Sequence, residues 1–318
     1  MLMKPYKILF ITKDFSNNIE RNTVYFSEEL AKHCDLTLWY SPGNIQDILK
    51  KVKLKPDFIL INDMKYTRSP HITGLSSLKI PFGIIMHDIH YKKEERKKYI
   101  VENKVTKIFS IYRDAFYRDF PEFKDYMYWL PHFVNTDIFK DYGLRKRHDI
   151  LLMGAISNVY PLRKKMRLYF KGRKGFKYRP HPGYTNVGVD SYFGEKYAKE
   201  INRSKIFITD DSILHYPLIK YYEVLACKTL LLAPTSKEVE DLGFIPGVHF
   251  VAIDENTFAE KVEYYLAHEE ERLKIAEAGY KMVRSKHSTA HRVRQFLDIL
   301  DTFKLTRNGE KVGMKIYS

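Results

Sequence analysis

The sequence predicts an α/β chain of two consecutive Rossmann-like, doubly wound domains facing a cleft. Three observations predict it. The 318 residues exceed one ordinary domain and fit two. Short continuous apolar runs alternate with amphipathic stretches, the pattern of parallel strands covered by helices on both faces. That alternation stops once, in a polar and charged stretch, and then starts again.

Taken in order, Tyr6–Thr12 (YKILFIT) reads as a buried strand. Thr23–Cys34 places Val24, Leu30 and Ala31 near helical spacing, and Leu36–Tyr40 (LTLWY) is a second strand. Ile45–Val52 reads as a helix, and Asp57–Asn62 (DFILIN) as a strand with Pro56 at its mouth. Pro81–His87 (PFGIIMH) is another strand, followed by the charged helix Lys92–Val101. Lys107–Ile111 and Met127–Leu130 close the first series. Asp137–Asp149 (DIFKDYGLRKRHD) is poor in core residues and marks the boundary. Beyond it, Ile150–Met153, Lys177–Arg179, Ile206–Thr209 and Leu230–Ala233 read as strands. Leu162–Phe170, Ile219–Ala226, Thr257–His268, Glu270–Ser285 and His291–Lys304 read as helices, and the residues after Thr306 as a weakly ordered tail. The expected organisation is an N-terminal domain over 1–136, a C-terminal domain over 137–290, and a terminal helix and tail over 291–318 that pack back on the first domain.

Composition narrows the function classes. The formal net charge is +15 and the sequence pI about 9.4, a field that favours an anionic partner: a nucleotide, a nucleic acid, an anionic membrane or an acidic polymer. A nucleic-acid-binding protein is disfavoured, because the basic residues are spread over many helices and no recognition module is present. Two basic runs, Lys92–Lys98 and Arg163–Lys177, are candidates for peripheral contact with an anionic surface; their ordinary reading is solvated helix faces. Only Cys34 and Cys227 are present, so a disulfide framework is not expected and a cytoplasmic setting is. The N-terminus lacks a signal-peptide pattern, and no apolar run approaches the ~20 residues of a membrane span.

Ligands of doubly wound sheets sit outside the carboxyl ends of the strands, which directs attention to the residues there. Gly154–Arg163 (GAISNVYPLR) joins a strand to a helix, so its backbone N–H groups and Arg163 suit a diphosphate; the plain alternative is an ordinary loop. In Arg179–Tyr184 (RPHPGY), His181 is fixed between two prolines, as a ligand contact or as part of a stiff turn. Lys220–Leu232 (KYYEVLACKTLLL) is the strongest segment. Glu223 opens a helix leading into a buried strand, where a carboxylate accepts two hydrogen bonds from a ribose diol, and Lys220 offers charge to phosphate. The alternative is a solvated pair worth a few tenths of a kcal/mol, which explains neither the apolar helix nor the strand downstream. Tyr216 before this segment and Tyr221 within it complete the expected donor set. Asp210 and Asp211 read as a strand-end turn, and no metal or other cofactor is expected. On the first domain His87, Asp88 and Asp14 are the candidate general bases, each at or just after a strand's end; a mutually bonded turn is the alternative for His87 and Asp88.

At these residues the sequence resembles the GT-B glycosyltransferases, specifically the spore-maturation (CgeB-like) branch of the group one type. The likeness runs from about Asp149 to His291, through KYYEVLACKTLLLAP, DLGFIPGVHFVAI and ERLKIAEAGYKMVRSKHSTAHR. Pro131–Phe139 (PHFVNTDIF) resembles the family's interdomain segment, and Ile85–Ile89 (IMHDI) its His-Asp turn. The resemblance implies that Glu223 binds the ribose, that Lys220 faces the donor, and that Gly154 and Arg163 lie along the diphosphate. It places His181 near the nucleotide or its phosphates, and has His87 reach the sugar from the opposite wall of the cleft. Two positions depart from the pattern. The first carboxylate of the family's Glu-x7-Glu pair is His215 here, which leaves retention or inversion open, and the usual Gly after Ala-Cys is Lys228.

The implied reaction is metal-independent transfer of a sugar from a nucleotide diphosphate, with UDP favoured, to an acceptor hydroxyl. The acceptor is left open among a cell-surface or spore glycan, a glycolipid and a small molecule. A GT-B-like sugar-nucleotide epimerase and a non-catalytic binder are the alternatives.

Overall fold

The computed structural model describes residues 6–52, 55–183 and 191–307; Tyr184 of the RPHPGY segment and the tail beyond residue 307 lie outside them. The chain divides into two compact units. Among the described residues, one takes those from Tyr6 to Asn17, from Thr23 to Pro131 and from Arg292 to Arg307; the other takes Asn18–Asn22 and those from His132 to His291.

The first unit is built on β1 (Lys7–Ile11), β2 (Asp35–Trp39), β4 (Phe58–Ile61), β6 (Phe82–Met86), β7 (Ile108–Ser110) and β8 (Met127–Trp129). They form one parallel sheet in the order β2-β1-β4-β6-β7-β8. β4 and β6 are buried at every residue, which is why their sequences are continuously apolar rather than alternating. Two short strands, β3 (Gly43–Asn44) and β5 (Ile72–Thr73), pair separately. Helices α1 (Asn22–Leu30), α2 (Ile45–Lys51), α3 (Lys93–Glu102) and α4 (Arg113–Asp119) belong to the same unit or its margin. The last helix, α11 (Thr289–Arg307), is held there by Phe296, whose ring meets Phe26, Phe58 and Phe109 edge-on. Tyr6 donates to Asp301 at 2.6 Å on the same helix.

The second unit carries β9 (His148–Met153), β10 (Phe176–Arg179), β11 (Ser204–Ile208), β12 (Leu230–Ala233) and β13 (Val251–Ala252), all parallel in the order β10-β9-β11-β12-β13. Its helices are α5 (Pro161–Tyr169), α6 (Gly194–Asn202), α7 (Lys220–Ala226), α8 (Lys237–Asp241), α9 (Phe258–Ala267) and α10 (Glu269–Lys286). One face of the sheet closes over Ile150, Leu152, Ile206, Leu230 and Leu232, under Met166 and Phe170 of α5 and Phe258 and Val262 of α9. From β9 the chain crosses to β10 on one side and then back to β11 on the other. The order reverses between β9 and β11, and that crevice is where such sheets bind ligands.

Two features go beyond the sequence reading. Helices α4, α6 and α8 and the two-residue strand β13 lie in segments without an anticipated element. Lys228, standing where the related pattern has Gly, adopts φ 53 just after α7. The left-handed turn is kept, and the Lys228 side chain reaches Glu277 at 2.8 Å. Among the described residues no helix is long and apolar enough to cross a membrane.

Candidate functional site

At the β9/β11 crevice the structure gathers Gly154, Arg163, Lys220 and Glu223. Gly154 takes φ 140 at the end of β9, and a Cβ there would lie 2.8 Å from Arg163 Nη1 and 3.5 Å from Lys220 Cε. Glycine is favoured there by conformation and by the close approach of Arg163, while Lys220 stays at ordinary contact distance.

Arg163 is an organiser rather than an exposed phosphate ligand. It is 2% exposed. Its guanidinium lies 3.1 Å from Asp210 Oδ1, donates to the carbonyl of Ala155 and to Thr209 Oγ1, and covers the Tyr160 ring at 3.9 Å. Its backbone N–H donates to Asp210 Oδ2 at 3.1 Å, so the start of α5, expected to face an anion, is already answered by a carboxylate. The direct diphosphate role expected for Arg163 is corrected on this ground: its charge is matched inside the protein. Burial, opposed by Arg163, holds Asp210 above the usual carboxylate range. Asp211 binds His215 Nδ1 at 2.8 Å, so both acidic side chains are committed to protein partners.

Lys220 and Glu223 lie one turn apart on α7, and a residue absent from the sequence reading joins them. Tyr197 of α6 accepts from Lys220 Nζ at 3.2 Å, and its hydroxyl is near enough to the Glu223 carboxylate to lower its pKa. Burial pushes Glu223 up to about 7, against the pull of Lys220 and Tyr197. Burial likewise drives Lys220 down to about 8, against Glu223 and Asp210, with Arg163 adding to the fall. Two opposite charges are held half-buried beside a tyrosine hydroxyl, a set able to accept from a diol and donate to a phosphate. His181 belongs to the same neighbourhood. Burial, then Lys220 and Arg163, lower its pKa, and its Nδ1 accepts from the Gly183 amide at 3.0 Å. The neutral ring therefore carries its proton on Nε2, as a donor.

Two expected donor contacts do not fit. Tyr221 is fully buried, its hydroxyl donating to the carbonyl of Pro234 and its ring edge-on to Phe244 and Phe250. It holds α7 to the core, because on α7 it lies on the face opposite the ligand-bearing side. Tyr216 is 3% exposed and its amide turns back to the Asp211 carbonyl, so its ring offers no open face for stacking. A cleft of about 580 Å³ opens beside the charged cluster, lined by Pro161, Leu162, Asp210, Asp211, His215 and Asp254 among others. Glu223 and Lys220 are not in its wall; the convergence of donors and acceptors, rather than volume, marks the site.

On the first unit, Asp14, His87 and Asp88 all follow strands of one parallel sheet. The ring of His87 meets Asn62 Oδ1 through Nε2 at 2.8 Å. Asn62 spends its Nδ2 hydrogens on Thr12 and Thr23, at 2.9 and 3.2 Å, so its oxygen is the acceptor. The neutral His87 therefore holds its proton on Nε2 and its lone pair on Nδ1. Its backbone N–H donates to Asp63 Oδ2, and Asp63 in turn is clamped by Arg96 at 2.8 and 3.2 Å, both side chains fully buried. Asn62, Asp63 and Arg96 are supports that the sequence reading missed; DFILIND, a strand ending in two polar residues, was the available signal. The two carboxylates are weaker bases. For Asp88, burial is outweighed by Lys65, Arg68 and His87, which hold it low, with Lys65 Nζ at 3.1 Å. Asp14 is exposed and accepts from the Ser16 amide at 2.9 Å, which lowers it too.

Residues 158–298 match the family described as glycosyl transferase-like. Among solved structures, sucrose-phosphate synthase from Thermosynechococcus elongatus superposes with a TM-score of 0.71 at 12% identity, over 95% of this chain and 100% of that one. HepE from Anabaena, solved in complex with UDP-glucose, gives 0.67 at 10% identity, over 93% and 100%. The fold is that of the GT-B glycosyltransferases. A glycosyltransferase from Rickettsia africae gives 0.65 at 15% identity, over 94% and 99% of the two chains. Among curated proteins no sequence matches this one.

Proposed function

We propose that this chain is a glycosyltransferase of the CgeB-like branch. It transfers a sugar from a nucleotide diphosphate, UDP favoured, to an acceptor hydroxyl without a metal. The observation that carries the reading is the Lys220–Tyr197–Glu223 arrangement beside Gly154 at the β9/β11 crevice. Glu223 accepts from the ribose diol, while Lys220 and the Nε2–H of His181 meet the diphosphate as charge builds on the leaving oxygens. UDP is favoured by the relative solved with UDP-glucose. Metal-free chemistry is supported by the commitment of Asp210 to Arg163 and Asp211 to His215. In this reading His87, held by Asn62 and Asp63, is the group that takes the acceptor proton. Buried thiols at Cys34 and Cys227 fit a cytoplasmic enzyme.

The test is a thermal-shift panel of UDP-, GDP-, ADP- and dTDP-sugars. A ligand of the native state raises the melting point by mass action, and UDP-sugars are expected to raise it most. A flat response across the panel contradicts the proposal.

A further inference from the structure

The structure separates the two basic runs. In the first, every cation from Lys92 to Lys98 has a carboxylate: Lys92 with Glu95, Lys93 with Asp119, Arg96 with Asp63, Lys97 with Glu122 and Lys98 with Glu102. That surface is close to neutral at short range. In the second, Arg163, Lys165 and Arg173 are answered by Asp210, Glu255 and Glu263. Lys164, Lys171 and Lys174 are exposed and make no ion pair among the described residues, and Arg167, also exposed, lies 4.4 Å over the Tyr178 ring.

From this arrangement we infer that α5 and the turn after it dock on an anionic lipid surface. The inner side of α5 is anchored by Arg163, Met166 and Phe170, all buried, so its outer side is fixed in direction. Lys164 and Leu168 lie one turn apart on that outer side, and Lys171 follows in the turn after α5. Leu168 is 63% exposed between these lysines in the chain, and Tyr169 beside it is 61% exposed while its ring leans edge-on against Phe258 at 5.3 Å. Unmatched cations around an exposed leucine and tyrosine are the composition of an interfacial contact: the cations meet lipid phosphates and the apolar side chains enter the headgroup boundary. A nucleic acid would use the cations and leave Leu168 without a partner, so the bilayer is the occupant the side chains favour. The contact lies on the membrane and does not span it. The docking does not depend on the donor chemistry. Its consequence does rest on the proposed function: α5 starts at the donor cluster, so a surface held along it brings lipid-borne acceptors near.

The experiment is co-sedimentation of the full chain with phosphatidylcholine vesicles, with and without phosphatidylglycerol, over a salt series. Binding is expected only with phosphatidylglycerol and is expected to weaken as salt rises. Each of Lys164→Ala, Lys171→Ala and Lys174→Ala should weaken it about fivefold, and the three together about a hundredfold. Leu168→Ser should weaken binding severalfold with the salt dependence unchanged. Lys97→Ala with Lys98→Ala should leave it as in the parent. The variants sit on the surface, so their melting points should match the parent's. Absence of binding to phosphatidylglycerol vesicles, or binding that the triple variant retains, overturns the inference. So does a Leu168→Ser variant that binds vesicles like the parent, which would mark a face for any polyanion.

Discussion

Lys220 and Glu223 are each held away from their ordinary pKa by burial, and this has a measurable consequence in the absence of any ligand. Glu223 sits near 7 in the folded chain against an ordinary value of 4.5. Between those values the folded state keeps a proton that the unfolded chain has released, so stability falls as the pH rises through the window. Lys220 sits near 8 against 10.5. There the unfolded chain keeps the proton, and stability rises as the pH climbs from 8 towards 10.5. For these two groups the folded state is thus least favoured at pH 7 to 8, where both are charged. Urea midpoints measured against pH should show that trough in the parent and lose it in a Glu223→Gln, Lys220→Met variant; superimposable curves would contradict it. A ligand with a diol and a diphosphate answers both charges, so the same window should give the tightest donor binding. At this scale the sequence singled out Glu223 and Lys220 as candidates, because a charged pair stands at the start of a helix that leads into a buried strand. Tyr197 was hidden, although Phe193, Tyr197 and Ile201 recur at every fourth residue, because Gly194 stands at the first turn of α6. Arg163 was visible but misread: sequence could not show Asp210, 47 positions on, reaching both its guanidinium and its amide.

The elements that hold the pocket are set by close contacts. α7 carries Lys220 and Glu223 on one side and is fixed by Tyr221 on the other, with α10 packed along it. Gly279 of α10 is where that packing is tightest: a Cβ would stand 2.4 Å from the carbonyl oxygen of His249 and 2.9 Å from Leu225 Cδ2. Alanine is the better helix former by up to about 1 kcal/mol. Overpacking of this kind costs about 1–3 kcal/mol, and because the nearer atom is backbone the overlap should win. Gly279→Ala is therefore expected to lower stability in chemical denaturation, and an increase would contradict the packing. The strands were readable where they are buried along their whole length, which makes β4, β6 and β12 continuously apolar. The elements that escaped are short or irregular. β13 has two residues, and α8 has five, started by the Ser236 side chain accepting from the Val239 amide. Periodicity has too little length to register in either.

For the whole molecule, alternating strands and helices with one polar interruption were enough to predict two doubly wound sheets, and the likeness to GT-B structures agrees with that fold. The order β10-β9-β11-β12-β13 puts one reversal point in the second sheet, and the charged cluster stands at it. Fold and chemistry thus point to the same crevice by separate routes, one from connectivity and one from Gly154, Tyr197, Lys220 and Glu223. The nucleotide and the acceptor were not legible in this way, since they depend on a few contacts rather than on a repeating pattern. In the proposed function Glu223 holds the ribose of a nucleotide-sugar, and isothermal calorimetry of UDP with the parent and with Glu223→Ala measures that contact. The expected result is binding to the parent and a loss of about 1–3 kcal/mol in the variant, the cost of a charged hydrogen bond. Equal affinities for parent and variant would contradict it.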